Sequence, residues 1–289
     1  MDWLTDALTG WMKDSLIDAI MERFSGMYDS VNARVGEIAA NVGQTPGGWN
    51  PGVFSMIRTL SDTAIIPIAG MILTFVLCYE LIQLIIEKNN LHDFSVYNIY
   101  KWIVKTFCAV YILTHTFDIV IGIFALAQNV VDSSAGVIQG SLNISSGTAL
   151  DDLRVMLEAM GVGELLGLFL ETFIVSMCME AITIIIFIVI FGRMIEIYLT
   201  VSVAPIPLST MANREWGQIG NNYIKSLFAL AFQGFLIMVC VAIYAVLLQS
   251  ITAGSNPHLE IWKMLGYTIL LSFTLLKTGS LSKGLFAAH

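Results

Sequence analysis

Apolar residues recur every three or four positions along residues 3–38. Leu4, Leu8, Trp11, Ile17, Ile20, Met21, Phe24, Met27, Tyr28, Val31, Val35 and Ile38 form one stripe, with Asp6, Asp14, Asp18, Glu22, Asp29 and Glu37 between them. That is the period of a helix and not of a strand, so an amphipathic α-helix is predicted over residues 1–40. Gly10 and Gly26 are positions where it could bend. Its charged face makes it too polar to cross a bilayer. It is expected on the extracytoplasmic side, lying on a membrane surface or packing on partner helices. The acidic face is a poor match for anionic lipid, which favours packing.

Residues 41–61 open with NVGQTPGGWNPG, a turn-rich run read as a linker. Beyond it the pattern becomes almost continuously apolar. Five stretches are predicted to cross a membrane: about 63–86, about 103–127, one beginning near 165, about 223–249 and about 262–285. The third runs without a turn signal from Leu165 to Leu208. About 40 helical residues measure about 60 Å, whereas a bilayer core needs only about 20 residues. This helix must therefore kink, tilt or project. Pro205 and Pro207 remove two backbone donors and are expected to end it. Ala204 and Ile206, each before a proline, are expected outside the α region. The following ANREWGQIGNNYIKS is polar, so residues 204–222 are read as a cytoplasmic elbow, with Trp216 and Tyr223 suited to the interface.

Composition agrees with the pattern. Of 289 residues, 56% are hydrophobic and 12% charged, against about 25% charged in soluble domains. A mean hydropathy of +0.77 points the same way. The fold class is all-α, a polytopic membrane protein with five transmembrane helices after the amphipathic one. A net charge of −8 implies no broad basic surface for nucleic acid. Cys78, Cys108, Cys178 and Cys240 lie in apolar runs without a CxxC pair and are read as small buried hydrophobes. Asp2 and Asp6 stand where a signal peptide would be basic, so none is expected. No internal repeat is visible, which weighs against an inverted-repeat transporter.

Lys and Arg near the span ends set the orientation. With the N-terminus outside, the inner segments hold Lys88, Lys101, Lys105, Arg193, Arg214, Lys225, Lys277 and Lys283. The outer segments hold Arg58, Arg154 and Lys263 near spans. The count favours N-out and C-in, with 128–163 as an outer loop.

Glu80, His115, Asp118, Glu171 and Glu180 lie in or near apolar spans. Ionisable groups there are costly and usually face a helix bundle or water. They are candidates for an ion path or for subunit contacts. His115 and Asp118, at i and i+3, could share a hydrogen bond. Arg193 and Glu196 have the same spacing and could form a bidentate pair if buried, or a weak exposed one. No nucleotide-binding glycine motif is present, since GSLSKG at 279–284 has the wrong spacing and no preceding strand. HExxH and GxSxG are absent as well, so neither an enzyme nor a cofactor is expected.

The block RMIEIYLTVSVAPIPLSTM, then REWGQIGNNYIKSLFALAFQGFLIM, resembles the core of TrbL-type inner-membrane subunits of conjugative type IV secretion systems. The resemblance extends over roughly 60–285, its specific part over about 165–240. In length and compactness it is similar to versions on Gram-positive integrative elements. It implies N-out topology, five spans and C-in, in agreement with the charge count. It further implies a homo-oligomeric ring, a pentamer, working with ATPases, a stalk protein and membrane lipids. Such a ring assists transfer of relaxase-bound single-stranded DNA across the cytoplasmic membrane. Arg193, Glu196, Pro205, Pro207, Trp216, Tyr223, Lys225 and Gln233 match the family block as structural or coupling positions. Many relatives carry a long soluble C-terminal tail or a large outer domain between spans; with 128–163 as the outer loop, functions located in such parts are not expected of this sequence. The alternative is a secondary transporter or ion channel using the intramembrane carboxylates.

Overall fold

The computed structural model describes residues 2–86, 96–139, 147–251 and 256–288, and every regular element among them is helical. Lys88 and part of the expected outer loop, 140–146, lie outside the described residues. The helices are α1 (Asp2–Val42), α2 (Pro46–Trp49), α3 (Pro51–Leu60), α4 (Ile66–Ile86), α5 (Val96–Thr114), α6 (Thr116–Gln139), α7 (Gly147–Ala159), α8 (Val162–Ser202), α9 (Pro205–Ser209), α10 (Gly217–Gln249) and α11 (Pro257–Leu285). Five segments are long and apolar enough to cross a membrane: Pro51–Ile86, Thr116–Ser133, Val162–Ala212, Gly217–Gln249 and Pro257–Leu285.

Several boundaries differ from expectation. The turn-rich linker at 41–61 is largely helical. Thr45 Oγ1 accepts from Gly48 N at 3.1 Å and starts α2, and Asn50 Oδ1 accepts from Val53 N at 3.0 Å and starts α3. Pro46 and Pro51 sit in the first turns, where a missing N–H leaves nothing unsatisfied. A π-helical turn, Ser61–Ile65, carries α3 into α4. The second span, expected at 103–127, contains a break at His115 between α5 and α6. There Thr114 Oγ1 donates to Val110 O at 3.0 Å and Thr116 Oγ1 to Ile112 O at 2.8 Å. Hydroxyls bonding back to carbonyls of the preceding turn compete with the helix ladder at this point. Within the expected outer loop, α6 continues to Gln139 and α7 adds three turns.

The chain divides into two compact units, the first comprising Met1–Val42, Val131–Ile190 and Phe235–Thr278. Here α1 is one unbroken helix despite Gly10 and Gly26, and it buries Ile17, Ile20, Phe24, Met27, Tyr28, Val31, Val35 and Ile38. Leu8 and Trp11, though on the predicted stripe, are exposed. The buried face packs within its own chain, where a membrane surface or partner helix had been expected. Met27, Val31 and Val35 line a cavity of about 270 Å³ together with Met179 and Ile186 of α8, Tyr244 of α10 and Leu271 of α11. Charges border this seam: Arg23 lies over the rings of Phe169 and Phe173 at 4.9 and 5.1 Å. Against α7, Lys13 Nζ donates to Glu158 O at 2.6 Å and Asp18 faces Arg154 at 3.4 Å.

The second unit comprises Gly43–Val130, Phe191–Gly234 and Gly279–His289. One core gathers Phe117, Val120 and Phe124 of α6 with Ile197, Tyr198 and Val201 of α8 and Leu227 and Leu230 of α10. The Tyr198 hydroxyl donates to Pro46 O at 2.6 Å, and Trp49 packs on Phe191 and Tyr198 at 5.4 and 5.8 Å. A second core joins Ala69, Leu73, Val76 and Leu77 of α4 to Leu113 of α5 and to Ala212. Outward apolar residues such as Met71, Phe75, Ile82, Ile86 and Phe107 are exposed, a surface that suits lipid. The cysteines correct the composition argument: Cys78, Cys108 and Cys178 are exposed and Cys240 half-buried. They lie on outward helix faces, where a small apolar side chain is also acceptable.

Candidate functional site

After α8 ends at Ser202, the residues preceding the prolines keep α-region backbone, contrary to expectation. Ala204 has φ −49° and ψ −39°, squarely α, and Ile206 lies inside α9. The helix tightens, with Ala204 N bonding Val201 O at 3.2 Å and Ile206 N bonding Val203 O at 3.1 Å. It restarts with both prolines in the first turn of α9, where their lost donors would be unpaired anyway. The hydroxyls of Ser209 and Thr210 bond Ile206 O and Pro207 O at 2.6 and 2.7 Å, closing a 3₁₀ turn over Thr210–Ala212. Asn213 then turns extended, with φ −110° and ψ 145°.

Asn213 is the pivot. It is only 2% exposed. Its Oδ1 accepts from Glu215 N at 2.7 Å and from Trp216 N at 3.3 Å, which shapes the turn into α10. Its Nδ2 donates to Glu80 Oε2 on α4 at 2.7 Å. The other oxygen of Glu80 takes the Lys105 ammonium of α5 at 2.5 Å. One carboxylate therefore ties α4, α5 and the elbow through charge-assisted hydrogen bonds. Glu215 adds a second tie, accepting from Gln83 Nε2 at 3.0 Å and Tyr79 OH at 3.3 Å. Trp216 stacks on Phe75 and Tyr79 at 5.5 and 5.8 Å.

The start of α10 presses closely on the elbow at Gly220. A Cβ there would lie 2.1 Å from Met211 Cγ and 2.7 Å from Pro207 O. The methionine can swing away, but the carbonyl cannot. Gly220→Ala is expected to cost about 1–3 kcal/mol by overpacking, read as a lower thermal unfolding midpoint of the purified chain. An unchanged midpoint would show that the elbow yields freely.

The candidate residues read from the sequence fall into separate pairs. Asp118 holds Arg58 at 3.1 Å, with Asp62 on the other side of the guanidinium at 3.9 Å. His115 does not bond Asp118; its Nδ1 lies 3.0 Å from Tyr111 O and 3.1 Å from Thr114 Oγ1, with the ring stacked on Tyr111. In the other unit, Glu171 meets His258 Nδ1 at 2.8 Å and Glu180 meets Arg34 at 3.7 Å. Each of these carboxylates thus has its own cationic or imidazole partner, and among the described residues no line of linked acids joins Glu80 to Asp118 or Glu171 to Glu180.

The expected Arg193–Glu196 pair is replaced by another. Arg193 is buried, at 7% exposure, with its Nε lacking a hydrogen-bond partner, while Glu196 is half exposed and pairs with Lys283 of α11 at 3.1 Å. A guanidinium turned into the helix packing leaves the outward carboxylate to a more accessible lysine. Tyr223 OH donates to Thr200 O at 2.8 Å and ties α10 to α8. Gln233 is buried beside Gly279, Pro205 is buried, and Lys225 is exposed. Residue typing alone missed Asn213, Glu215, Arg58, His258 and Lys283. For Asn213 a signal existed: an asparagine just before a new helix is a favoured cap.

A family model described as TrbL/VirB6 plasmid conjugal transfer like protein matches residues 31–205. The match takes in the second part of α1 and continues to Pro205, including Glu80, His115, Asp118, Glu171, Glu180, Arg193 and Glu196. Pro207, Trp216, Tyr223, Lys225 and Gln233 lie beyond it. No curated protein and no solved structure matches the chain.

Proposed function

Because the chain belongs to the TrbL/VirB6 plasmid conjugal transfer like family and is a multi-pass membrane protein, we propose that it is the channel or scaffold subunit of its type IV secretion machine. Membership at the family level makes it a type IV secretion subunit. The finer reading is a homo-oligomeric ring, a pentamer by resemblance, that assists relaxase-bound single-stranded DNA across the cytoplasmic membrane. The carrying observation is the family match over more than half the chain. In the N-out, C-in reading taken from the charge count, the elbow would face the cytoplasm, where the ATPases work. The Glu80–Asn213 tie supports a coupling role for the elbow, because it turns a polar turn into a fixed surface.

The family's secretion activity gives a direct test. Clean deletion of the gene in the donor is expected to abolish transfer while leaving relaxase nicking intact, as scored by mating frequency and by cleavage at the transfer origin. Undiminished transfer would refute the assignment. Crosslinks from transferring DNA to this chain would make it part of the DNA path, and transfer lost without such crosslinks would make it a scaffold.

A further inference from the structure

A cavity of about 760 Å³ opens in the second unit, walled by α4, α5 and the elbow. Its lining carries three cations, Lys101, Lys105 and Arg214, and two carboxylates, Glu80 and Glu215. These five charges differ in how far they are committed. Glu80 and Lys105 neutralise each other, and Glu215 is held against α4 by Gln83 and Tyr79. Lys101 and Arg214 are exposed and make no ion pair or hydrogen bond among the described residues. Among the described lining residues, two uncommitted cations and a net charge of +1 favour a monoanion.

The surroundings narrow the chemistry. Beside the cavity, α4 exposes Ile82, Ile85 and Ile86, and α5 exposes Tyr100 and Ile103. Trp102 lines the wall and donates its indole N–H to Leu77 O at 3.3 Å. The α4 wall is the end of the candidate span Pro51–Ile86, the level at which lipid headgroups and interfacial aromatics meet. A site that is cationic inside and apolar alongside fits an anionic lipid better than a soluble polyanion, which would also meet Glu80 and Glu215.

We propose that this cavity binds the phosphodiester headgroup of an anionic phospholipid. Lys101 and Arg214 hold the phosphate, the guanidinium in its planar two-donor mode, and the acyl chains follow the exposed isoleucines of α4. The proposal goes beyond the secretion assignment and stands whether this chain lines the DNA path or scaffolds it.

The test uses the full chain in phosphatidylcholine nanodiscs titrated with phosphatidylglycerol, with the thermal midpoint and lipid retention in native mass spectrometry as readouts. Phosphatidylglycerol is expected to raise the midpoint. The double variant Lys101→Gln, Arg214→Gln is expected to need about tenfold or more anionic lipid for the same effect. Lys263→Gln, an exposed lysine of the other unit, should behave as wild type. Equal responses of the double variant and the wild type would overturn the proposal. So would full protection by inorganic phosphate alone, which would indicate a free-phosphate site, or displacement of the lipid by single-stranded oligonucleotide at equal phosphate concentration. If the double variant does not fold, the charge-conserving pair Lys101→Arg, Arg214→Lys must retain binding and Lys101→Gln alone must weaken it; any other result overturns the proposal.

Discussion

Glu80→Ala is expected to lower the stability of the folded chain by about 2–4 kcal/mol. The substitution leaves two partners behind: the Lys105 ammonium and the Asn213 amide, the latter only 2% exposed. Water reaches the lysine, whose side chain is 36% exposed against 18% for Glu80, so the effect stays below that of a fully buried pair. The amide cannot be rehydrated without moving the turn. Thermal unfolding of the purified chain provides the measurement, with Lys105→Ala and the double variant completing a cycle. Strictly additive effects would show that the two residues do not act together. A mating assay separates fold from coupling. If the elbow is a coupling surface, Glu80→Gln, which keeps the side-chain volume and an acceptor for Asn213, lowers transfer by more than its loss of stability explains.

Phe24→Ala is expected to cost about 3–5 kcal/mol, the largest single effect among the substitutions considered. Phe24 is 2% exposed on the buried face of α1, between Ile20 and Met27, which are 0% and 4% exposed. Truncation removes its packing and leaves a void next to an existing cavity of about 270 Å³. The measurement is limited proteolysis alongside the thermal midpoint: cleavage within α1 should appear before any cleavage in the apolar spans. Trp11→Ala serves as comparison, because Trp11 lies on the same predicted stripe yet is 69% exposed. An effect at Trp11 as large as that at Phe24 would mean that α1 is buried by something other than this chain.

These two side chains also mark how far the sequence could be read. The i, i+3, i+4 spacing of Ile17 to Ile38 identified a buried helix face, because the helical period is local and each stripe residue carries the same signal. It did not show where that face stops, and so Leu8 and Trp11 were included wrongly. It also did not identify what the face packs on, since α7, α8, α10 and α11 supply that surface from residues more than a hundred positions away. The polar residues were harder still. Glu80 stood out because a carboxylate in an apolar run is costly, but residue typing could not distinguish an ion path from a structural tie. His115 with Asp118, and Arg193 with Glu196, were near in sequence and on one helix face, yet neither pair formed a hydrogen bond: His115 turns to Tyr111, Asp118 to Arg58 and Glu196 to Lys283, while Arg193 is buried with its Nε unpartnered. A spacing of three residues makes a pair possible; competition from Tyr111, Arg58 and Lys283 decides it.

By itself the sequence determined the class of this protein. Continuous apolar runs of about twenty residues can satisfy their backbone only as helices in a membrane, and the stripe of α1 follows from the helical period. The tertiary structure alone decided that Pro205 and Pro207 restart a helix where they had been expected only to end one. It also decided that Asn213 and Glu80 meet across 133 positions and that Arg193 turns inward while Glu196 turns to Lys283. Those outcomes depend on which donors and acceptors are brought within about 3 Å of one another, a distance set by packing between helices and absent from any local pattern.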